Sequence, residues 1–278
     1  MLLVLKYSIS VLIFAVGLTA TGDDIVHLWR RPVLLLKSVV AMYLVMPAAA
    51  VVMARIFDLP PGTELALVIL AICAGAPLLP KKLIKFGGNP SYVFSLIVTT
   101  SLLAIATVPA SLAILADVIT FDTTGVTPAH VAGVILKTFL LPLGLGMLVR
   151  FLFPALADKI SDFLLKAAGI VMALCALVVL AIGLPKVVEV GLPSLLAFAL
   201  FTVIAILAGH LLGGPEPSDR TSLAVACASR HIGLALLVAA NAPGGKTIAL
   251  VVAYLLASAV VSIAYILWLK RMRKRGSD

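Results

Sequence analysis

The chain has 278 residues, of which 63% are hydrophobic and only 12% are charged, and its formal net charge at pH 7 is +9. A mean hydropathy of +1.22 excludes a water-soluble domain of ordinary composition. The apolar residues form successive runs of about 20 rather than strands that alternate with period two, which excludes an outer-membrane barrel and predicts an all-α polytopic membrane protein.

Proline, glycine and charged residues divide the chain into nine predicted transmembrane helices. The first run has no convincing small-residue cleavage site, so we expect it to be retained as a span. The nine predicted spans cover roughly residues 2–20, 33–56, 64–87, 90–117, 129–153, 159–183, 193–213, 220–241 and 246–269.

Lysine and arginine are distributed unevenly between the two sides of these spans. If the N-terminus lies outside, most cations fall at cytoplasmic ends, including Arg30, Arg31 and the basic tail 270–278. The positive-inside rule therefore predicts an integral protein of a membrane such as the bacterial inner membrane, with the N-terminus outside and the C-terminus cytoplasmic. We expect the basic tail to contact anionic membrane lipid rather than nucleic acid.

The third predicted span has helix-breaking residues in its middle. Gly75, Pro77 and Pro80 interrupt the run, and two prolines this close are incompatible with a continuous helix. The segment "VILAICAGAPLL" (68–79) also matches "LAVACASRHIGL" (223–234) around a shared Cys-Ala at an offset of 154 residues. Paired interrupted segments in corresponding halves are typical of inverted-repeat transporters, and the five-span separation permits an inverted repeat.

Several motifs along the chain together resemble one family. They are "FAVGLT" (14–19), "RRP" (30–32), "YLVMPAAAVVMARIFDLPPG" (43–62), "CAGAP" (73–77), "GGN" (87–89) and "RTSLAVACASRHIGLAL" (220–236). On these motifs the sequence resembles the bile acid:sodium symporter family and its broader superfamily of anion transporters.

The resemblance implies two inverted five-helix repeats, here without the first helix, so that nine spans form a single transporter domain. The third and eighth spans would be discontinuous helices that cross near the bilayer centre. Gly233 would lie at the helix break of the eighth span. A panel (about 2–20 and 129–183) would face a core (about 33–117 and 193–269). Substrate would bind between the two, and their relative movement would give alternating access.

The sequence departs from this family's pattern in the second crossing helix. The family has a Glu there, followed four residues later by a Gln-Asn pair, and both belong to its sodium sites. Aligned on Gly233, the Glu falls at Ala226 and the pair becomes Arg230-His231. The resemblance therefore places Ala226, Ser229, Arg230 and His231 beside the transport site, with a cation where the family has amides.

The other sodium-site positions are only partly kept. Aligned on Cys73, the family's Ser-Asn pair of the first crossing helix becomes Leu79-Pro80, whereas Ser95 and Thr99 keep its Ser-x-x-x-Thr spacing and would line the cavity. All twelve Asp and Glu residues fall in predicted loops or at span ends. Because a dehydrated sodium ion needs several oxygen ligands and usually a carboxylate, a sodium site is disfavoured, and we expect no metal and no cofactor.

Arg230 is the most unusual residue of the sequence. It lies about ten residues into the eighth span, which places it ~15 Å deep. A membrane-buried arginine costs at least ~2.5–3.5 kcal/mol, so it needs a partner, and no acidic residue of a span can supply one. It either contributes to an organic anion site or tethers the broken helices through free carbonyls. His231 is either a proton-coupling group or a neutral core histidine.

These residues predict a secondary transporter of a small organic anion that is not coupled to sodium through the family's usual sites. A sodium-coupled symporter with a degenerate site is the first alternative. A non-transporting sensor of the same fold is a further one. An intramembrane enzyme using Cys227, Ser229 and His231 is less favoured because no acidic group is available to orient the histidine. Cys73, Cys175 and Cys227 have no metal-ligand spacing and predict no disulfide framework.

Overall fold

The computed structural model describes residues 2–75, 88–115, 128–231, 235, 238–239 and 247–275. Within these residues every regular element is a helix, apart from one isolated antiparallel bridge between two residues. The prediction of an all-α fold is confirmed. Helices of the N-terminal half are α1 (Leu2–Gly17), α2 (Gly22–Val26), α3 (Pro32–Ile56), α4 (Pro61–Ile72) and α5 (Pro90–Leu115).

In the C-terminal half, α6 is the continuous run of Pro128–Ile135, a π-helical stretch Leu136–Leu140, and Leu141–Leu152. The remaining helices are α7 (Pro154–Val190), α8 (Leu192–Leu212), α9 (Pro217–Ala228) and α10 (Thr247–Arg275). Most of these helices begin at a proline or have one at their second position, where its missing N–H costs nothing because the first turn has no acceptor for it.

Proline lies inside three of the long apolar helices of the described residues; Pro109 lies inside α5, and the other two prolines each follow a widened turn. The π-helical stretch Val40–Val45 in α3 precedes Pro47, and the stretch Leu136–Leu140 in α6 precedes Pro142. A proline inside a helix cannot donate its hydrogen bond and clashes with the carbonyl four residues earlier. The π turn moves that carbonyl away, so the helix continues through the proline.

Five helices of the described residues are long and apolar enough to cross a membrane. They are Pro32–Ile56, Pro90–Ile114, Ala129–Leu152, Leu192–Leu212 and Ala249–Met272, which correspond to five of the nine predicted spans. Large apolar side chains such as Ile114, Phe151 and Leu211 are exposed on these helices, where lipid would cover them. The chain is an integral membrane protein, and the prediction of nine spans stays a prediction.

Glycine allows two helix pairs to approach at the backbone. α1 packs against α6 and α7, and a methyl group added to Gly17 would lie 2.5 Å from the Leu143 carbonyl oxygen. α8 packs against α9, where a methyl group on Gly209 would lie 2.5 Å from the Ala224 Cα. Small residues at such crossings are typical of membrane helices. The division of these helices into a panel and a core stays a prediction.

Candidate functional site: the crossing of two interrupted helices

Two interrupted helices meet through their backbones. α4 ends at Ile72 and α9 ends at Ala228; the chain leaves α9 in an extended conformation at Ser229 and leaves α4 at Cys73 in a non-helical conformation with φ −84° and ψ 67°. Ala74 and Arg230 form an antiparallel bridge, and the His231 N–H donates to the Cys73 carbonyl at 3.0 Å. We call this pairing of 73–75 with 229–231 the crossing.

The helix of the third predicted span ends at Ile72, before Gly75, and the helix of the matched segment ends at Ala228, while the assignment of the helix break to particular residues stays a prediction. Of the residues predicted to cause the breaks, Gly75 lies in the crossing, whereas Pro77, Pro80 and Gly233 lie outside the described residues. Beyond the crossing, the Ala235 N–H donates to the His231 carbonyl at 2.9 Å, as in a helical turn. The eighth span thus regains helical bonding after its interruption.

Gly75 is required at the crossing for two physical reasons. Its φ is +84°, a left-handed conformation that residues with a Cβ adopt only at a cost. A methyl group at this position would also collide with the Thr100 side chain of α5. Glycine at position 75 therefore lets α5 lie directly against residues 73–75 of the crossing.

Two tyrosine hydroxyls satisfy carbonyl groups around the crossing. Tyr254 of α10 donates to the Ala228 carbonyl at 2.5 Å, which caps the last turn of α9. Tyr43, in the π-helical stretch of α3, donates to the Thr100 carbonyl at 2.7 Å. Neither tyrosine is predicted from the sequence motifs, although Tyr254 follows Thr100 by 154 residues, the same offset that relates Cys227 to Cys73. That offset is the signal that could have found Tyr254.

Arg230 is almost completely enclosed, with 2% of its surface exposed. Its guanidinium carbon lies 5.7 Å from the ring centre of Phe201 on α8, within the range of a cation–π contact. The hydroxyls of Tyr43 and Tyr254 and the thiols of Cys73 and Cys227 lie close enough to interact with the charge of Arg230. These uncharged groups form its surroundings.

None of the three guanidinium nitrogens reaches hydrogen-bond geometry with a described residue, although the Tyr254 hydroxyl lies close. The ion pairs of the described residues involve Arg30, Arg31 and Arg150, and none includes Arg230. The C-terminal ends of α4 and α9 converge here, and their partial negative charges favour a cation. They supply no formal counter-charge.

The other residues predicted for the second crossing helix lie in the same place. His231 is 5% exposed and belongs to the crossing through its backbone. Ala226 is buried in the last turn of α9, and Ser229, directly after it, is partly exposed. The structure thus brings Ala226, Ser229, Arg230 and His231 together at one helix end, while their roles stay predictions.

Ser95 and Thr99 are both buried in α5 but have different surroundings. The Ser95 hydroxyl donates to the Ile25 carbonyl at 2.6 Å and accepts from the Leu28 N–H at 3.0 Å, which ties α2 to α5. The Thr99 hydroxyl has no hydrogen-bond partner among the described residues. Ser95 therefore holds a connecting segment in place, whereas Thr99 presents a free hydroxyl one residue from Thr100.

The opposite end of α9 holds a buried carboxylate that sequence reasoning placed only at a span end. Asp219 is 1% exposed, accepts from the Asn89 side-chain amide at 3.0 Å and pairs with Arg31 at 3.3 Å. Burial raises the pKa of its carboxyl above 3.8, although the Asn89 hydrogen bond and the Arg31 charge oppose this shift. Its burial results from segments far apart in sequence, so no local pattern signals it.

The crossing is similar to a feature of one class of membrane protein. Secondary transporters have discontinuous helices whose ends meet near the bilayer midplane and face a bound ion or substrate. The sequence comparison gives the family. The chain belongs to the sodium bile acid symporter family, whose model matches residues 7–190, and the resemblance inferred from the motifs is confirmed.

Three curated relatives carry names that describe transport. The chain is 25% identical over 212 residues to "Probable sodium/metabolite cotransporter BASS5, chloroplastic" of Arabidopsis thaliana, covering 73% of this chain and 50% of the relative. It is 27% identical over 216 residues to "Probable sodium/metabolite cotransporter BASS6, chloroplastic" of the same plant, covering 74% and 51%. It is 25% identical over 172 residues to "Uncharacterized sodium-dependent transporter YocS" of Bacillus subtilis (strain 168), covering 61% and 52%. The chain spans about half the length of each.

Proposed function

We propose that this protein is a secondary transporter of a small organic anion, that it works by alternating access, and that Arg230 is the fixed cation of its substrate site. The observation that carries the proposal is the enclosed guanidinium at the crossing, whose three nitrogens have no hydrogen-bond partner among the described residues. A planar fork of N–H donors matches a carboxylate or sulfonate. The family supports transport over the catalytic alternative built on Cys227 and His231.

A sodium ion at the crossing would meet a positive charge. Two like charges a few ångströms apart repel strongly where water is excluded, and Ala226 supplies no ligand oxygen from its side chain. We therefore propose that Arg230 replaces the coupled cation rather than cooperating with it. The second candidate is a sodium-coupled symporter. It is favoured by the names of the relatives from Arabidopsis thaliana and Bacillus subtilis, which refer to sodium.

The proposed setting follows from the distribution of charge. We propose a location such as the bacterial inner membrane, with the N-terminus outside and the C-terminus cytoplasmic, so that Arg30, Arg31 and the basic tail face anionic lipid. The packing of α1 against α6 and α7 supports the panel as one moving body. The remaining helices then form the core that contains the crossing.

Ligand-induced thermal stabilisation of the purified protein tests this proposal. The panel consists of permanent anions in matched pairs, methanesulfonate with ethane-1,2-disulfonate and benzenesulfonate with benzene-1,3-disulfonate, together with the corresponding carboxylates, each in sodium or choline buffer. We expect at least one anion to stabilise equally in both buffers, by up to about 2.7 kcal/mol at 100 times its Kd. Arg230→Met should remove the shift and Arg230→Lys should keep part of it.

A matched variant and two outcomes make the test decisive. Arg55→Met removes the same charge from the exposed end of α3 and should leave the anion shift unchanged. Stabilisation only in sodium would support the sodium-coupled candidate instead. An anion shift of full size in the Arg230→Met protein would show that Arg230 tethers the crossing without contacting substrate.

A further inference from the structure

We infer that this transporter exchanges one monovalent organic anion for another across the membrane. Its change between inward-open and outward-open states should be slow when no anion is bound. The inference rests on the proposed function, because it concerns the same Arg230 site. It follows from the formal charge that the enclosed crossing holds and from the way the backbone fixes that charge.

With the neighbouring His231 neutral, Arg230 sets the formal charge of the crossing among the described residues. Phe201, Tyr43, Tyr254, Cys73 and Cys227 around it are uncharged at neutral pH. The ends of α4 and α9 contribute dipoles, which lower the local energy of a cation but add no net charge. The enclosed group therefore carries a charge of +1 that only a bound anion can cancel.

Arg230 cannot escape this environment by a local movement. Its backbone pairs with Ala74, and the next N–H donates to the Cys73 carbonyl. The side chain is 2% exposed and lies over Phe201. Because both interrupted helices hold this residue, its charge moves with the crossing as one body.

In alternating access the site is first open to one side of the membrane. It then closes to both sides before it opens to the opposite side. Closing around an unpaired guanidinium removes water from a net charge, which is unfavourable in a low-dielectric interior. Closing around a guanidinium paired with a monoanion encloses no net charge. The protein with bound anion should therefore change between its two orientations faster than the protein without anion. Exchange of anions is then favoured over net transport.

The same charge balance selects the valence of the substrate. A dianion would leave the closed site with a charge of −1, at a desolvation cost similar to that of the bare cation. With His231 neutral, the described residues around Arg230 offer no second cation to balance it. Monovalent carboxylates or sulfonates should therefore be transported better than dianions of the same size.

Transport by the full-length protein in proteoliposomes tests the inference. The probe is the radiolabelled monosulfonate that gives the largest Arg230-dependent thermal shift, because permanent sulfonates do not cross lipid as neutral acids. Vesicles are loaded with the same unlabelled probe or with sulfate buffer alone. We expect internal probe to raise the initial uptake rate at least 10-fold, and the matched disulfonate to replace it poorly.

The membrane potential provides a second readout. Exchange of two monoanions moves no net charge, whereas net uptake returns an unloaded cationic site across the field. A potassium diffusion potential set with valinomycin should therefore leave the exchange rate unchanged and alter the residual net uptake. Protein-free vesicles and Arg230→Met vesicles give the background, and Arg55→Met is the charge-matched control.

The outcomes separate this inference from the proposed function. Uptake that is equally fast with and without internal probe, or exchange that follows the membrane potential, would overturn exchange while leaving an Arg230-dependent anion transporter. Equal transport of the disulfonate would overturn the selection for monoanions. If no anion of the panel gives an Arg230-dependent thermal shift, the proposed function fails and the inference fails with it.

Discussion

Helix α9 carries a buried charge at each end. Asp219 lies in its first turn and Arg230 lies just beyond its last, with 1% and 2% of their surfaces exposed. Arg230 is eleven positions after Asp219, and the helical part between them, from Asp219 to Ala228, is about 14 Å long at the helical rise. Each sign suits its position, because a helix N-terminus favours an anion and a C-terminus favours a cation.

The two charges differ in what surrounds them. Asp219 is bonded by Asn89 and Arg31, which come from two other segments. Arg230 has a ring and two helix ends beside it but no hydrogen-bond partner among the described residues. The chain therefore supplies partners for a buried charge where it joins helices together. At the crossing none of the described residues supplies one, which supports the proposal that the substrate provides the counter-charge.

Removing the partner of Asp219 should have the larger effect on stability. Arg31→Gln leaves the buried carboxylate with Asn89 as its remaining side-chain donor, and losing a hydrogen bond to a charged group costs about 2 kcal/mol. We expect the free energy of unfolding in detergent to fall by about that amount. The measurement is denaturant-induced unfolding followed by tryptophan fluorescence.

Arg30 provides the matched control for this prediction. It precedes Arg31 directly and pairs with Asp23, but both side chains are largely exposed, at 68% and 79%. An exposed ion pair contributes little, so Arg30→Gln should change stability by less than about 0.5 kcal/mol. Equal losses in the two variants would show that Arg31 acts through general surface charge rather than through Asp219.

Removing the charge at the crossing should change stability in the opposite direction. A membrane-buried arginine costs about 3 kcal/mol, and the two helix ends and Phe201 recover about 2 kcal/mol of it. Arg230→Met keeps most of the side-chain volume, and we expect it to raise the free energy of unfolding by about 1 kcal/mol without ligand.

The sign of this change distinguishes the two roles of Arg230. A structural tether with bonded nitrogens would lose about 3 kcal/mol or more on substitution, as buried pairs do when one partner is removed. A loss as large as that of Arg31→Gln would therefore contradict the substrate-site role. The measurement is the same unfolding experiment, run in parallel on both variants.

The sequence was sufficient to predict the interruption and its charge. Gly75 and its neighbouring prolines act locally on the backbone, so a break in the third span follows from residues close in sequence. Arg230 was found because the cost of burying it is independent of the fold. The pairing of Ala74 with Arg230 could not be read from the sequence, because it joins segments more than 150 residues apart.

The surroundings of the site were harder to predict than the site itself. Phe201, Tyr43 and Tyr254 reach the crossing from three helices; of these, only Tyr254 has a signal in the sequence, its offset of 154 residues from Thr100. Ser95 was expected at a cavity from its spacing to Thr99, but its hydroxyl bonds to the segment at Ile25 and Leu28. Hydrogen-bond partners of this kind depend on tertiary packing, whereas spacing within one helix fixes only which residues share a face.

The smallest expected effect is a pH dependence at the acidic end of α9. Burial raises the pKa of Asp219 above its unfolded value of 3.8, and Glu216 adds to this, while Asn89, Arg31 and His27 oppose it. Just above pH 3.8 the folded protein therefore binds more protons at this site than the unfolded chain does. The corresponding stability is fully present below pH 3.8 and is lost as the pH rises through the raised pKa.

Asp219→Asn removes this titration and keeps an acceptor for Asn89, so the difference in melting temperature between wild type and variant isolates the contribution of one carboxyl. We expect wild type to gain stability relative to the variant as the pH is lowered from 7 towards 4, with a change smaller than that of Arg31→Gln. Parallel pH profiles would show that Arg31 and Asn89 fully compensate the burial of Asp219. The two ends of α9 would then differ even more. The charge of Asp219 would be fully balanced by its partners, whereas Arg230, 11 positions later, has no hydrogen-bond partner among the described residues.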